Sequence, residues 1–347
     1  MGYENIGAII MAAGLGKRMK SKLIKILHPI CGQPMVSYVI DALDELGIKK
    51  RVIVLGHQRE QVAEFLSNRN VEIAIQERPL GTGDAVKSAE RFFDRREDNG
   101  EQTFLSAIYD NVLVLSGDTP LISPDTIERL IKNHRSSGVK ATILTVDLQN
   151  PTGYGRIVKD SAGYILRIVE ERDATLEEKG IKIVNTGTYC FNAAALFSAL
   201  KMVSSSNAQE EYYLTDVFEI INSQGGKIAS VSADSSIEVM GINSRKELAV
   251  AESYMRRQIL DDLMESGVTI VSPETVFIDR DVRIGQDTVI YPFTSILGQS
   301  VIGEDCVIGP YACIMDAFVR NGARVIFSSI NNCSVEDKSQ VCGGCGL

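Results

Sequence analysis

The sequence predicts an α/β protein built on a mostly parallel sheet, followed by a short parallel β-helix. Three observations carry this. From residue 6 to about 150, apolar runs of strand length alternate with amphipathic stretches. Farther on, Ile278, Ile284, Ile290, Ile296, Ile302, Ile308 and Ile314 recur at six-residue spacing, a period that sets one inward aliphatic on each face of a triangular prism. The chain's 347 residues also exceed one ordinary core and fit about two domains.

The elements follow in order. Ile6 to Ala12, Val52 to Leu55, Val71 to Ile75, Val112 to Leu115 and Ala141 to Val146 are apolar enough for strands buried on both faces. Pro34 to Glu45, Glu60 to Leu66 and Ser123 to His134 carry apolar residues at helical spacing. Residues 151 to 245 mix strand-like pieces with turns, which suggests an insertion forming the far wall of a cleft. Arg245 to Glu265 reads as one helix, with Leu248, Ala251, Tyr254, Met255, Ile259, Leu263 and Met264 as its apolar stripe and Gly267 as its stop. The expected division is therefore 1–244, a connecting helix 245–267, and a repeat domain 268–347. After Ile314 the repeat is expected to degenerate through Phe318, Ile326 and Ile330, leaving about three coils.

Composition narrows the function classes. A net charge of −9 argues against a protein that coats nucleic acid, which is gripped through clustered Lys and Arg. The apolar stretch near the N-terminus has the length of a core strand rather than of a signal peptide or membrane span, so neither a membrane partner nor export is expected, and the cytosol is the expected compartment. Seven scattered cysteines, an odd number, do not suggest a disulfide framework; most are expected to be small buried hydrophobes. Cys342-Gly-Gly-Cys345 has metal-pair spacing but no second pair and no nearby histidine, and reads as a frayed end.

Two segments carry chemistry. Met11-Ala-Ala-Gly-Leu-Gly-Lys-Arg-Met19 follows the first strand directly, and its glycines allow backbone N–H groups to approach phosphate oxygens, with Lys17, Arg18 and Lys25 supplying positive charge. It is neither common phosphate loop: the dinucleotide fingerprint needs glycine at Met19, and the Walker pattern needs Ser or Thr at Arg18. Val112-Leu-Val-Leu-Ser-Gly-Asp-Thr-Pro120 ends a buried strand in Gly117 and Asp118, where a carboxylate suits a Mg²⁺ ligand or a turn cap.

Those segments, with Lys25-Ile-Leu-His28, Gln76, Leu80-Gly-Thr-Gly83, Thr152-Gly-Tyr-Gly-Arg156, Val169-Glu170, Asn185-Thr-Gly187, Glu211-Tyr-Tyr-Leu-Thr-Asp216 and Gly241-Ile-Asn243, occur in the order found in bacterial N-acetylglucosamine-1-phosphate uridyltransferases. From about residue 6 to 315 the chain resembles that family, in particular the uridyltransferase part of the bifunctional enzyme that also acetylates glucosamine 1-phosphate. The resemblance implies a Rossmann-like nucleotidyltransferase domain followed by a left-handed β-helix. It also implies conversion of UTP and N-acetylglucosamine 1-phosphate to UDP-N-acetylglucosamine and pyrophosphate. By the same resemblance, Met11, Ala12, Ala13, Gly14, Gln76, Gly81 and Thr82 bind the nucleotide, and Arg18 and Lys25 are catalytic through the phosphates. Asp118 and Asn243 hold Mg²⁺, while Gly117, Gly155, Glu170 and Asn185 bind the sugar. Family members trimerise through the repeat domain, so the resemblance extends to a homotrimer. A pyrophosphorylase for another sugar or nucleotide, such as UDP-glucose or dTDP-glucose, and a non-catalytic nucleotide-binding scaffold are the alternatives.

Two departures from the family pattern stand out. Leu23-Ile24-Lys25 replaces Leu-Pro-Lys, which removes a φ restraint beside Lys25. In the bifunctional enzymes a histidine general base serves acetyl transfer, but the only histidines here are His28, His57 and His134. No acetyltransferase activity is expected, since loss of a general base costs about two to four orders of magnitude. The three histidines are assigned structural or solvent roles, His134 at a helix end where its charge suits the dipole.

Overall fold

The computed structural model describes residues 3–14, 16–56, 59–93 and 109–343, and forms two compact units: residues 1–27 with 35–244, and residues 28–34 with 245–347. Leu15, His57 and Cys345, named above, lie outside the described residues. Among the described residues no helix is long and apolar enough to cross a membrane.

The first unit is a nine-stranded sheet with helices on it. Its elements are β1 (Ile6–Met11), α1 (Met35–Glu45), β2 (Lys50–Leu55), α2 (Arg59–Leu66), β3 (Glu72–Ile75), α3 (Thr82–Ser88), β4 (Asn111–Ser116), α4 (Pro124–Ser137), β5 (Ala141–Asp147), β6 (Arg156–Lys159), β7 (Ile165–Val169), α5 (Leu176–Lys179), β8 (Ile183–Asn192), α6 (Ala193–Leu200), α7 (Asp216–Ser223) and β9 (Ile228–Ser232). The strand order is β9-β5-β8-β4-β1-β2-β3, with β6 paired to β8 and β7. The pairs β1–β2, β1–β4, β2–β3 and β5–β9 are parallel, whereas β8 runs antiparallel to both β4 and β5. The five predicted apolar runs supply β1 to β5. The sheet separates two apolar layers: Ile10, Leu113 and Leu144 face one, and Ile9, Val112 and Ile143 face the other, the alternation that strand pleating imposes.

Polar pins fix the helices. Ser123 caps α4, accepting from Thr126 N at 3.2 Å, while its own hydroxyl donates to Glu238 at 2.5 Å. His134, near the other end of α4, is 3% exposed and bridges Thr142 (Nδ1, 2.9 Å) and Asn111 (Nε2, 3.0 Å). Burial lowers its pKa to about 4. It is therefore a neutral core pin, which is a structural role as expected, and its charge is not set against the helix dipole.

The second unit is a left-handed parallel β-helix preceded by the helix α8 (Arg245–Glu265). Helix α8 buries Ala251 and Leu260, with Ile259, Leu263 and Met264 packed beside the core; Leu260 lay outside the predicted stripe. The hairpin of Pro29–Ile30 and Gln33–Pro34 also belongs to this unit, Cys31 N donating to Glu252 at 2.8 Å.

Three parallel sheets of five, four and four strands form the prism. The stack reaches Gln340–Cys342, farther than the three coils expected. Past Ile314 the inward residues are Val319, Val325, Ile330, Val335 and Val341, fixed by the registers Ile302↔Val319, Ile308↔Val325 and Ile314↔Ile330. The spacing contracts to five at three of these steps, which hid the repeat, and Phe318 turns outward at 57% exposure. A second row lies two residues before the inward aliphatics: Thr288, Thr294, Ser300, Cys306, Ala312, Ala317 and Ala323 are all buried. Small side chains fit the prism corners, and Ser300 Oγ donates to Leu297 O at 2.7 Å. Of the six described cysteines, all free, Cys31, Cys190 and Cys306 are buried, while Cys333 and Cys342 are exposed. Burial is thus less general than expected.

Candidate active site

The site lies at the carboxyl ends of β1 and β4, where side chains can gather without breaking the parallel ladder. β1 runs out into Ala12, Ala13 and Gly14; Ala12 N donates to Val54 O at 3.0 Å, and Gly117 N donates to Met11 O at 2.9 Å. These backbone bonds tie the end of β1 to β2 on one side and to the end of β4 on the other. Beside them opens a cavity of about 330 Å³. Met11, Ala12, Ala13, Gly14, Lys25, Gln76, Gly81, Thr82 and Asp118, nine of the predicted residues, line it.

Gln76 is buried, and its side-chain amide donates to Gly81 O and to Asp84 Oδ2, each at 2.9 Å. One amide thereby fixes the turn that starts α3. Gly81 itself has φ +112°, and a Cβ there would lie 2.5 Å from Tyr212 O, so only glycine fits. The Glu211-Tyr-Tyr-Leu run explains that contact. Tyr212 N donates to Leu80 O (2.7 Å), Gly83 N to Tyr212 O (2.8 Å), and Leu214 N to Thr82 Oγ1 (3.0 Å). The motif braces the wall that carries Gly81 and Thr82, and it brings Glu211 to the cavity as well. Glu211 and Ser116 are lining residues that were not assigned roles from sequence; both sit inside motifs quoted there.

Across the cavity mouth, Lys25 Nζ donates to Asp118 Oδ2 and, at 3.0 Å, to Asn243 Oδ1. Lys25 opens a single 3₁₀ turn, Lys25–Leu27, closed by Leu27 N donating to Ile24 O at 3.0 Å, so the turn forms without proline at Ile24. Its stem packs on Gly16, where a Cβ would lie 2.9 Å from Lys25 Cβ. Asn243 is brought in by Ile242 N, which donates to Asp118 O at 2.8 Å. Two oxygen donors from distant parts of the sequence thus converge on one cationic point. That donor chemistry fits a hard divalent cation, which takes oxygen ligands. Among the described residues no group of three or more His, Cys, Asp or Glu is arranged to hold a metal.

Gly155, Glu170 and Asn185 form a second cluster, apart from the residues lining the cavity. Asn185 N donates to Gly155 O at 2.9 Å, and a Cβ on Gly155 would lie 3.5 Å from Glu170 Oε2. Asn185 Nδ2 donates to Tyr189 Oη at 2.7 Å, where β8 bulges. Glu170 Oε1 accepts from Thr215 at 3.0 Å; burial raises its pKa, a shift the Thr215 bond opposes and Asp173 adds to. Gly187 lies between the two clusters: its N–H donates to Asn185 Oδ1 at 3.0 Å, and a Cβ there would lie 3.6 Å from Ser116 Oγ. Arg18 stands apart, exposed on the 3₁₀ turn Lys17–Met19 and outside the cavity lining.

The fold and this strand-end site define a nucleotidyltransferase with an appended repeat unit. Residues 7–236 match the family model described as nucleotidyl transferase, and residues 281–315 match that of the bacterial transferase hexapeptide (six repeats). The chain is 46% identical over 338 residues to the bifunctional protein GlmU of Caldanaerobacter subterraneus subsp. tengcongensis, covering 97% of this chain and 71% of that protein. With GlmU of Shouchella clausii it shares 46% identity over 334 residues, covering 96% and 71%. A solved structure titled a putative glucose-1-phosphate thymidylyltransferase, from Bacillus anthracis, superposes with a TM-score of 0.55 at 20% identity, covering 72% of this chain and 94% of that one, a likeness of fold. The chain belongs to the GlmU family. It is a nucleotidyltransferase acting on nucleotide and sugar phosphate, in a family that uses a divalent metal.

Proposed function

We propose that the strand-end site binds UTP and N-acetylglucosamine 1-phosphate with Mg²⁺ and makes UDP-N-acetylglucosamine and pyrophosphate. The observation that carries this reading is the convergence of Lys25, Asp118 and Asn243 beside a cavity walled by Met11 to Gly14, Gln76, Gly81 and Thr82.

The backbone of Met11 to Gly14, with Gln76, Gly81 and Thr82, holds the nucleotide. With its amide N–H groups held by Gly81 and Asp84, Gln76 presents its amide oxygen and Gly81 a bare backbone, groups that read a base edge. Lys25 takes the phosphates from the cavity wall, and Arg18 is assigned to them from its exposed position on the Lys17–Met19 turn. Asp118 and Asn243 hold the Mg²⁺, which neutralises triphosphate charge when bound. Two protein oxygens suit an ion that keeps phosphate and water ligands. Gly155, Glu170 and Asn185, with Gly117, face the sugar. Glu170 uses one carboxylate oxygen on Thr215, and the other, on the Gly155 side, is the acceptor that a sugar lacking the acetamido N–H would leave unpaired; unpaired buried groups are what such sites use to reject analogues.

The chemistry is a displacement at phosphorus. An oxygen of the sugar phosphate attacks the α-phosphorus in line, a P–O bond forms, the α–β bridging P–O bond breaks, and pyrophosphate leaves with the electron pair. No side-chain nucleophile is needed, so the residues act by positioning and by offsetting charge. A homotrimer through the repeat unit belongs to the same proposal and is read by sedimentation velocity.

Initial rates of pyrophosphate release with Mg²⁺ and UTP test the substrate. N-acetylglucosamine 1-phosphate should exceed glucose 1-phosphate and glucosamine 1-phosphate in kcat/KM by about two orders of magnitude or more, the discrimination that unpaired polar groups give. Equal rates for the three sugars would move the assignment to a broader pyrophosphorylase.

A further inference from the structure

Lys25 and a divalent cation are rivals for the same oxygens. Lys25 Nζ is hydrogen-bonded to Asp118 Oδ2 and lies 3.0 Å from Asn243 Oδ1, with the Lys25 and Asp118 side chains only 12% and 17% exposed. A divalent cation held by Asp118 and Asn243 would draw on the same oxygens that now accept from the ammonium. Two like charges that close repel strongly in a partly shielded site.

Lys25 also lines the cavity. The root of its stem is fixed against Gly16, while the four-carbon chain lets the ammonium swing. One cation therefore has two anionic destinations: the Asp118 carboxylate and any phosphate in the cavity.

We propose that Lys25 is an internal cation that competes with the divalent metal for Asp118 and Asn243, and that nucleotide phosphates admit the metal by drawing the ammonium away. The inference rests on the reading of Asp118 and Asn243 as metal ligands. It makes metal and nucleotide binding mutually reinforcing, since linkage is reciprocal.

The test is Mn²⁺ binding to the full chain without nucleotide, read by the loss of the free Mn²⁺ EPR signal. It compares wild type, Lys25→Met and Lys25→Gln, each with and without Asp118→Asn, their fold checked by circular dichroism. Both Lys25 variants should bind Mn²⁺ at least about fivefold more tightly than wild type, the low end of coupling between linked ligands, and Asp118→Asn should erase the gain. Unchanged or weaker binding in both Lys25 variants, with Asp118→Asn still weakening wild type, would overturn the competition and leave the metal site standing. If Asp118→Asn changes nothing in any background, the metal-site reading falls and the competition with it.

Discussion

In the repeat unit each core position restates the one before it, whereas in the sheet unit no two core positions have the same surroundings. Ile290, Ile296, Ile302 and Ile308 each stand within 2% of complete burial, each two residues after a buried small side chain. In the sheet unit the core is divided into two layers, His134 is pinned by two specific partners, and near the strand ends Gly81 and Gln76 each meet surroundings that no other position has. Repetition makes stability a sum of similar local terms. A site needs positions that are unlike all others, and it is found where the sheet stops repeating itself.

The sharpest way to break this comparison is to delete equivalent methyl groups. Ile296→Ala and Ile302→Ala should each cost about 2–5 kcal/mol, the range for buried large-to-small changes, and the two costs should agree within about 1 kcal/mol if the coils are equivalent. Urea unfolding of the repeat unit reads both, and a wide gap between them would show that the coils are not interchangeable.

A sheet-unit pin should behave differently, responding to pH. The His134 pKa is lowered to about 4 by burial, with Arg135 adding to the shift. The unfolded chain, with an ordinary His near 6.5, therefore binds the proton more readily. Stability should be full above about pH 6.5 and fall as pH drops toward 4, by on the order of 2–3 kcal/mol. His134→Gln should flatten that slope in melting curves taken at several pH values. An unchanged slope would place the acid sensitivity elsewhere.

Gly81→Ala probes the third kind of position, one shaped for the site. A methyl group would sit 2.5 Å from Tyr212 O at φ +112°, so a loss of about 1–3 kcal/mol is expected from strain, with KM for UTP raised more than kcat is lowered. A change confined to kcat would argue that this turn does not bear on nucleotide binding.

The same contrast explains what could be read from sequence. The five parallel strands were legible because burial on both faces demands continuous apolar runs, and the first coils because an inward residue every six leaves a plain period. β8 was not, since its ten residues alternate between strand, bulge and site. Val319 was missed when the spacing shortened to five beside the more apolar but outward Phe318. At the site, the glycine-rich turn, Lys25 and Asp118 were readable as local chemistry. Their meeting with Asn243 rested on family resemblance, because no local pattern reports a contact across 218 residues. The brace made by Tyr212 and Leu214 is carried mostly by backbone groups, which any sequence possesses.

The account stands or falls on the convergence at Asp118. Pyrophosphate release from UTP and N-acetylglucosamine 1-phosphate, measured with Mg²⁺ on wild type and Asp118→Ala at matched folded concentration, tests it directly. The predicted result is rapid release by wild type and a loss of at least about two to three orders of magnitude in the variant, the scale of removing a charge-stabilising group from such a site. Release that survives the substitution undiminished would contradict it.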